Sequence, residues 1–99
     1  MKKYILEGKD VIECDDVKEW GEWFEKTDRQ IALTEVGDIR VSTVFIGLDH
    51  NFGYGAGGEL PIVFETMVFK DGEESGMRRY STWNAAAIGH VEMCKQAGV

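Results

Sequence analysis

Gln30-Ile31-Ala32-Leu33-Thr34-Glu35-Val36-Gly37-Asp38-Ile39-Arg40-Val41-Ser42-Thr43-Val44-Phe45-Ile46-Gly47-Leu48 is the stretch whose reading decides the fold. It consists of two runs rich in β-branched residues, joined by Gly37-Asp38. A glycine opening a two-residue loop signals a hairpin, because the backbone twist of that turn matches the twist of its strands. Such a loop sets Glu35 opposite Arg40, Leu33 opposite Ser42 and Ile31 opposite Val44. Opposite charges facing each other across the ladder support this register.

Strand signals continue on both sides of this hairpin. Tyr4-Ile5-Leu6 and Val11-Ile12 flank Gly8-Lys9 and read as a first hairpin. Ile62 to Lys70 reads as a third long strand. Its run Ile-Val-Phe-Glu-Thr-Met-Val-Phe is apolar on both faces, which suits the interior of a sheet. Asp71 to Gly76 is a polar turn in this reading, and Met77 to Ser81 return as a further strand.

Between the hairpins the apolar period changes from two to three and four. Val17, Trp20, Phe24 and Thr27 share one helical face, and Asp16 with Glu19 has the spacing of a capping box. Trp20 and Phe24 are expected inside, with Trp23 at the margin. Near the C-terminus Ser81 or Thr82 caps a second helix. Trp83, Ala86, Ala87, His90, Val91, Cys94 and Ala97 gather on one stripe of it at 100° per residue. The order ββαββββα predicts a single α+β domain over residues 1–99. It has two layers: a mostly antiparallel sheet of about five or six strands packed under two amphipathic helices.

The net charge of −7 argues against nucleic acid and anionic membranes as partners, since both are recognised by clustered Lys and Arg. It leaves basic proteins as natural partners, or serves solubility alone. Cys14 and Cys94 lie far apart with no second cysteine near either, so neither a disulfide framework nor a zinc spacing is present. Reduced thiols and a cytoplasmic location are the expectation. No apolar run approaches the ~20 residues of a membrane span.

The segment Leu48-Asp49-His50-Asn51-Phe52-Gly53-Tyr54-Gly55-Ala56-Gly57-Gly58-Glu59-Leu60-Pro61 joins two long strands and exceeds ordinary hairpin loops. Asp49, His50, Asn51, Phe52 and Tyr54 could grip a small polar ligand or a partner protein. The alternative is a solvated loop. A phosphate cradle does not fit, because no Lys-Ser or Lys-Thr and no helix follow the glycines. Glu65 stands between Val63 and Met67, where an apolar residue is expected. A buried carboxylate needs a partner, and Arg78, Arg79, His50 or His90 could supply it. His90 lies one turn from Cys94 on the apolar stripe. It is either a satisfied core histidine, a latch onto the start of the long loop, or half of a Cys–His pair. No cofactor is implied, and two histidines forty residues apart make no recognisable metal motif.

Three stretches resemble a group of short, uncharacterised proteins of tailed bacteriophages and prophages. They are Val41-Ser42-Thr43-Val44-Phe45-Ile46-Gly47-Leu48-Asp49-His50-Asn51-Phe52-Gly53, Pro61-Ile62-Val63-Phe64-Glu65-Thr66-Met67-Val68-Phe69, and Arg79-Tyr80-Ser81-Thr82-Trp83 leading to Gly89-His90. The likeness spans about residues 15 to 95 and leaves the first hairpin outside. It marks Asp49, His50, Phe52, Glu65, Thr66, Tyr80, Trp83 and His90 as belonging to the pattern. It implies the context of a bacterial host cell and no particular chemistry. Three functions follow as expectations. The first is an accessory protein that binds a host protein or ligand, such as an inhibitor of host defence. The second is a hydrolase or metal-dependent enzyme using His50 with Asp49 or Glu65. The third is a virion structural or assembly protein.

Overall fold

A computed structural model describes residues 1–50 and 60–99 of the chain. The elements run β1 (Tyr4–Glu7), β2 (Asp10–Glu13), α1 (Val17–Lys26), β3 (Gln30–Val36), β4 (Ile39–Phe45), β5 (Phe64–Lys70), β6 (Glu73–Tyr80) and α2 (Trp83–Ala97). This is the expected α+β order. The strands form two antiparallel sheets, however, in place of one: β3-β4-β5-β6 in sequence order, and β1-β2 apart. The division occurs at Gly47, whose φ of +75° breaks the extended run of β4. A Cβ there would lie 3.3 Å from both the Phe24 ring and the Tyr4 carbonyl oxygen, so this close approach suits glycine. Beyond it β1 is bridged to the continuation of β4. The Tyr4 N–H donates to the Gly47 carbonyl at 2.8 Å, and Lys3 bridges Leu48.

Glu35 faces Arg40 and Leu33 faces Ser42, as the loop length predicts. The third pair is Gln30 with Val44, because a bulge between Gln30 and Ala32 inserts one residue and frees Ile31 to join the core. The last turn is shorter than expected. Asp71 and Gly72 both have left-handed backbones (φ 53° and 79°), which closes a two-residue hairpin, and β6 starts at Glu73 instead of Met77. Its polar first residues are tolerated because β6 is an edge strand.

Strand alternation sorts the sheet into two faces. Val41, Thr43 and Phe45 of β4, Phe64, Thr66 and Val68 of β5, and Tyr80 of β6 are buried on one face. Against them α2 buries Ala86, Gly89, His90, Met93 and Cys94. Completely burying a phenylalanine such as Phe45 or Phe64 contributes roughly 1.5–3 kcal/mol. The buried stripe of α2 is rotated from the expected one, with Gly89 and Met93 inside and Val91 exposed. Thr82 caps the helix, its hydroxyl accepting from the Ala85 N–H at 3.1 Å.

Asp16 caps α1 as expected, accepting from the N–H groups of Lys18 and Glu19. The inward face of α1 is also shifted. Val17 is exposed, and Trp23 stands edge-on to Phe45 with ring centroids 5.7 Å apart. Trp20 instead donates its indole N–H to the Tyr4 carbonyl at 3.0 Å, and Phe24 packs at Gly47. These two aromatics tie α1 to β1, which turns Trp23 toward the sheet. No helix among the described residues is long and apolar enough to cross a membrane.

Candidate functional site

The candidate polar residues divide among three places. Period-two alternation puts Thr66 under α2, and therefore puts Glu65 on the opposite face of the sheet from His90. There the Glu65 carboxylate accepts from the Arg79 Nε–H at 3.0 Å, directly across the β5–β6 ladder. This pairing neutralises a half-buried carboxylate and selects Arg79 from the candidate partners, with His90 on the other face.

His90 and Tyr80 do come together, through residues that the sequence reading did not single out as a set. Tyr80 donates its hydroxyl to Thr66 Oγ1 at 3.0 Å. Thr66 and Thr43 hydroxyls are 2.6 Å apart, and Thr43 lies 2.7 Å from His90 Nδ1. His90 Nε2 in turn is 2.9 Å from the Thr34 hydroxyl. One buried hydrogen-bonded chain thus crosses all four strands of the sheet from β6 to β3. Burial of the imidazole pushes its pKa below the usual histidine value. The chain exists because α2 sits very close to the sheet: a Cβ on Gly89 would lie 2.2 Å from the Tyr80 hydroxyl oxygen. His90 is a latch of α2 onto the sheet, and not onto the start of the long loop. Both of its ring nitrogens face threonine hydroxyls. Cys94 packs instead with Val41, Val68 and Met93.

A usable signal was present in the sequence. Thr43 stands between Val41 and Phe45 at period two, and Thr66 between Phe64 and Val68, so each places a hydroxyl in a row that is otherwise apolar. Buried hydroxyls require partners, and the nearest polar residues on the covering helix stripe supply them.

Asp49 and His50 form the stem of the long connection. The Asp49 carboxylate accepts from the Ile62 N–H at 3.0 Å, while the His50 N–H donates to the Ile62 carbonyl at 2.9 Å. His50 Nδ1 lies 2.8 Å from the Leu48 carbonyl oxygen, which makes that nitrogen the donor. The Asp49 side chain and the His50 backbone hold this stem beside Ile62, and the imidazole folds back on Leu48. Asn51, Phe52 and Tyr54 lie outside the described residues.

Where the chain emerges at Leu60 and Pro61, a cleft of about 390 Å³ opens between the β1–β2 turn and the start of α2. Its apolar lining includes Tyr4, Val11, Leu60, Pro61 and Trp83. Lys9 Nζ stands 5.9 Å from the centroid of the Trp83 ring, the range of a cation–π contact. The Tyr4 phenol is held protonated above its ordinary range, first by burial and then by the charges of Glu13 and Asp49. Ser81, Thr82 and Asn84 add polar groups along the rim. Aromatic walls with Lys9, Asp10 and several hydroxyl or amide groups fit a ligand or peptide that is apolar in the middle and polar at its end.

Comparison of the chain with protein-family models, with curated proteins and with solved structures gave no match.

Proposed function

We propose that this chain acts by binding: a small acidic accessory protein of the phage and prophage type that occupies a host protein or ligand inside a bacterial cell. Inhibition of a host defence system is the role that such occupation would serve. The observation that carries this reading is the cleft at the emergence of the long connection, with Trp83 as its aromatic wall and Lys9 as its cation. Aromatic anchors in concave, partly apolar sites dominate recognition energetics. Three of the polar side chains considered for catalysis have partners within the fold. Glu65 pairs with Arg79, His90 is held by threonines, and Asp49 closes the loop stem.

Pull-down from bacterial lysate tests the proposal, using the wild-type chain beside Lys9→Glu and Val11→Glu. Both substitutions lie in the β1–β2 hairpin at the cleft, and circular dichroism checks that each variant folds. A host protein or small molecule retained by the wild type and lost by at least tenfold in both variants is the expected result. Failure to retain anything, or equal retention by all three proteins, overturns it.

A further inference from the structure

Both helices and the β1–β2 hairpin pack on one face of the four-stranded sheet, and no described residue covers the other face. Solvated faces of antiparallel sheets normally carry polar side chains. This one does not. Its middle row, read across the strands, is Leu33, Ser42, Met67 and Met77. On one side lies the row Gln30, Val44, Glu65 and Arg79, and on the other Glu35, Arg40, Phe69 and Glu74. Val44, Met67 and Phe69 make an apolar centre, while Leu33 and Met77 remain 43% and 45% exposed at the two edges. This accounts for the doubly apolar run of β5.

We infer that this face binds a second copy of the same chain, sheet against sheet, in a two-fold dimer. Charge selects that occupant. The face holds Glu35, Glu65 and Glu74 against Arg40 and Arg79, a net of −1, although the whole chain carries −7. A two-fold axis along the middle row sets Met77 on Met77 and Met67 on Met67. The same rotation exchanges the outer rows and places Arg79 of each copy over Glu74 of the other. An isologous interface requires this kind of self-complementarity. Methionine and arginine are also residue types that interfaces favour.

Size sets the strength. Four strands about 4.8 Å apart and seven residues long at about 3.3 Å each cover about 19 by about 23 Å. Two such faces together bury about 900 Å², below the standard size of stable interfaces, so the dimer is a weak and reversible one.

Sedimentation equilibrium tests this on the full chain between about 5 and about 500 µM, in about 150 mM salt so that repulsion between like-charged copies is screened. The mass is expected to rise with concentration from 11.2 kDa toward twice that value. Met77→Glu and Glu74→Arg should each weaken association by about tenfold or more. Ile88→Glu, on the exposed outer side of α2, should leave it unchanged. Glu74→Arg mixed with Arg79→Glu should associate again, because each then meets the opposite charge in the other. A mass of 11.2 kDa at every concentration overturns the proposal, as does a dimer insensitive to both Met77→Glu and Glu74→Arg.

Discussion

The hydrogen-bonded chain through His90 has one arrangement that uses the hydroxyl proton of each buried member and leaves only that of half-buried Thr34 outside the chain. Tyr80 donates to Thr66, so Thr66 donates to Thr43 and Thr43 to His90 Nδ1. The imidazole therefore carries its proton on Nε2 and donates to Thr34. Charging the ring would add a donor at Nδ1, turn the Thr43 proton around and leave the Thr66 hydroxyl without an acceptor in the chain. Burial opposes the charged ring as well, and the folded-state pKa lies below 6.5. Below about pH 6.5 the unfolded chain then binds more protons than the folded one. The contribution of His90 to stability is intact above that pH and declines on acidification, by at most about 1.4 kcal/mol per pH unit. Urea unfolding at pH 7.5 and 5.5 should show this loss. His90→Gln should be less stable than wild type at pH 7.5 and should lose less further stability at pH 5.5. Equal acid losses in the two proteins would remove His90 from the pH response.

Among the elements, α2 owes its seat to one missing methyl group. Gly89 inside a helix costs about 1 kcal/mol relative to alanine, so propensity alone favours Gly89→Ala. The tyrosine beneath decides otherwise, since a Cβ would sit 2.2 Å from its hydroxyl oxygen and 2.3 Å from ring carbon Cζ. Gly89→Ala should destabilise the protein by about 1–3 kcal/mol in chemical denaturation, through overpacking. A gain of stability would mean that helix and sheet are farther apart. The same glycine explains where reading the sequence fell short. The hairpins were legible because Gly8-Lys9 and Gly37-Asp38 are turn signals with a mechanism, and the strand order follows from them. The stripe of α2 was off because hydropathy ranks Val91 above a glycine, whereas close approach needs the glycine. The bulge after Gln30 and the polar start of β6 leave no trace in an apolar pattern. Of the site, Tyr80 and His90 were singled out, Thr43 was legible only through its otherwise apolar row, and Thr34 was not legible, since threonine is as common on a solvated strand face. Glu65 was legible as a carboxylate needing a partner, but its face depends on an alternation that reads the same from either side when both are apolar.

At the scale of the whole molecule, acidic charge is spread over both sheets and α1, and 11 lysines and arginines stand against 18 acids. Self-repulsion of this excess opposes the compact state and is screened by salt. Raising NaCl from about 10 to about 200 mM should raise the thermal midpoint by a few degrees, measured at a dilution of about 2 µM with sedimentation confirming monomer at both salts. A flat or falling midpoint would mean that ion pairs such as Arg78–Glu92 and Arg79–Glu65 outweigh the repulsion. The uncovered sheet and the Trp83 cleft lie on different sides of the molecule, the cleft being formed by the hairpin and helix that pack on the opposite face. Copies joined back to back would keep both clefts outward and free. A target displaying two identical epitopes would then be held at both ends, and its release would require two dissociations at once. Avidity of this kind lets a short chain with a modest single contact persist on its target far longer than that contact allows.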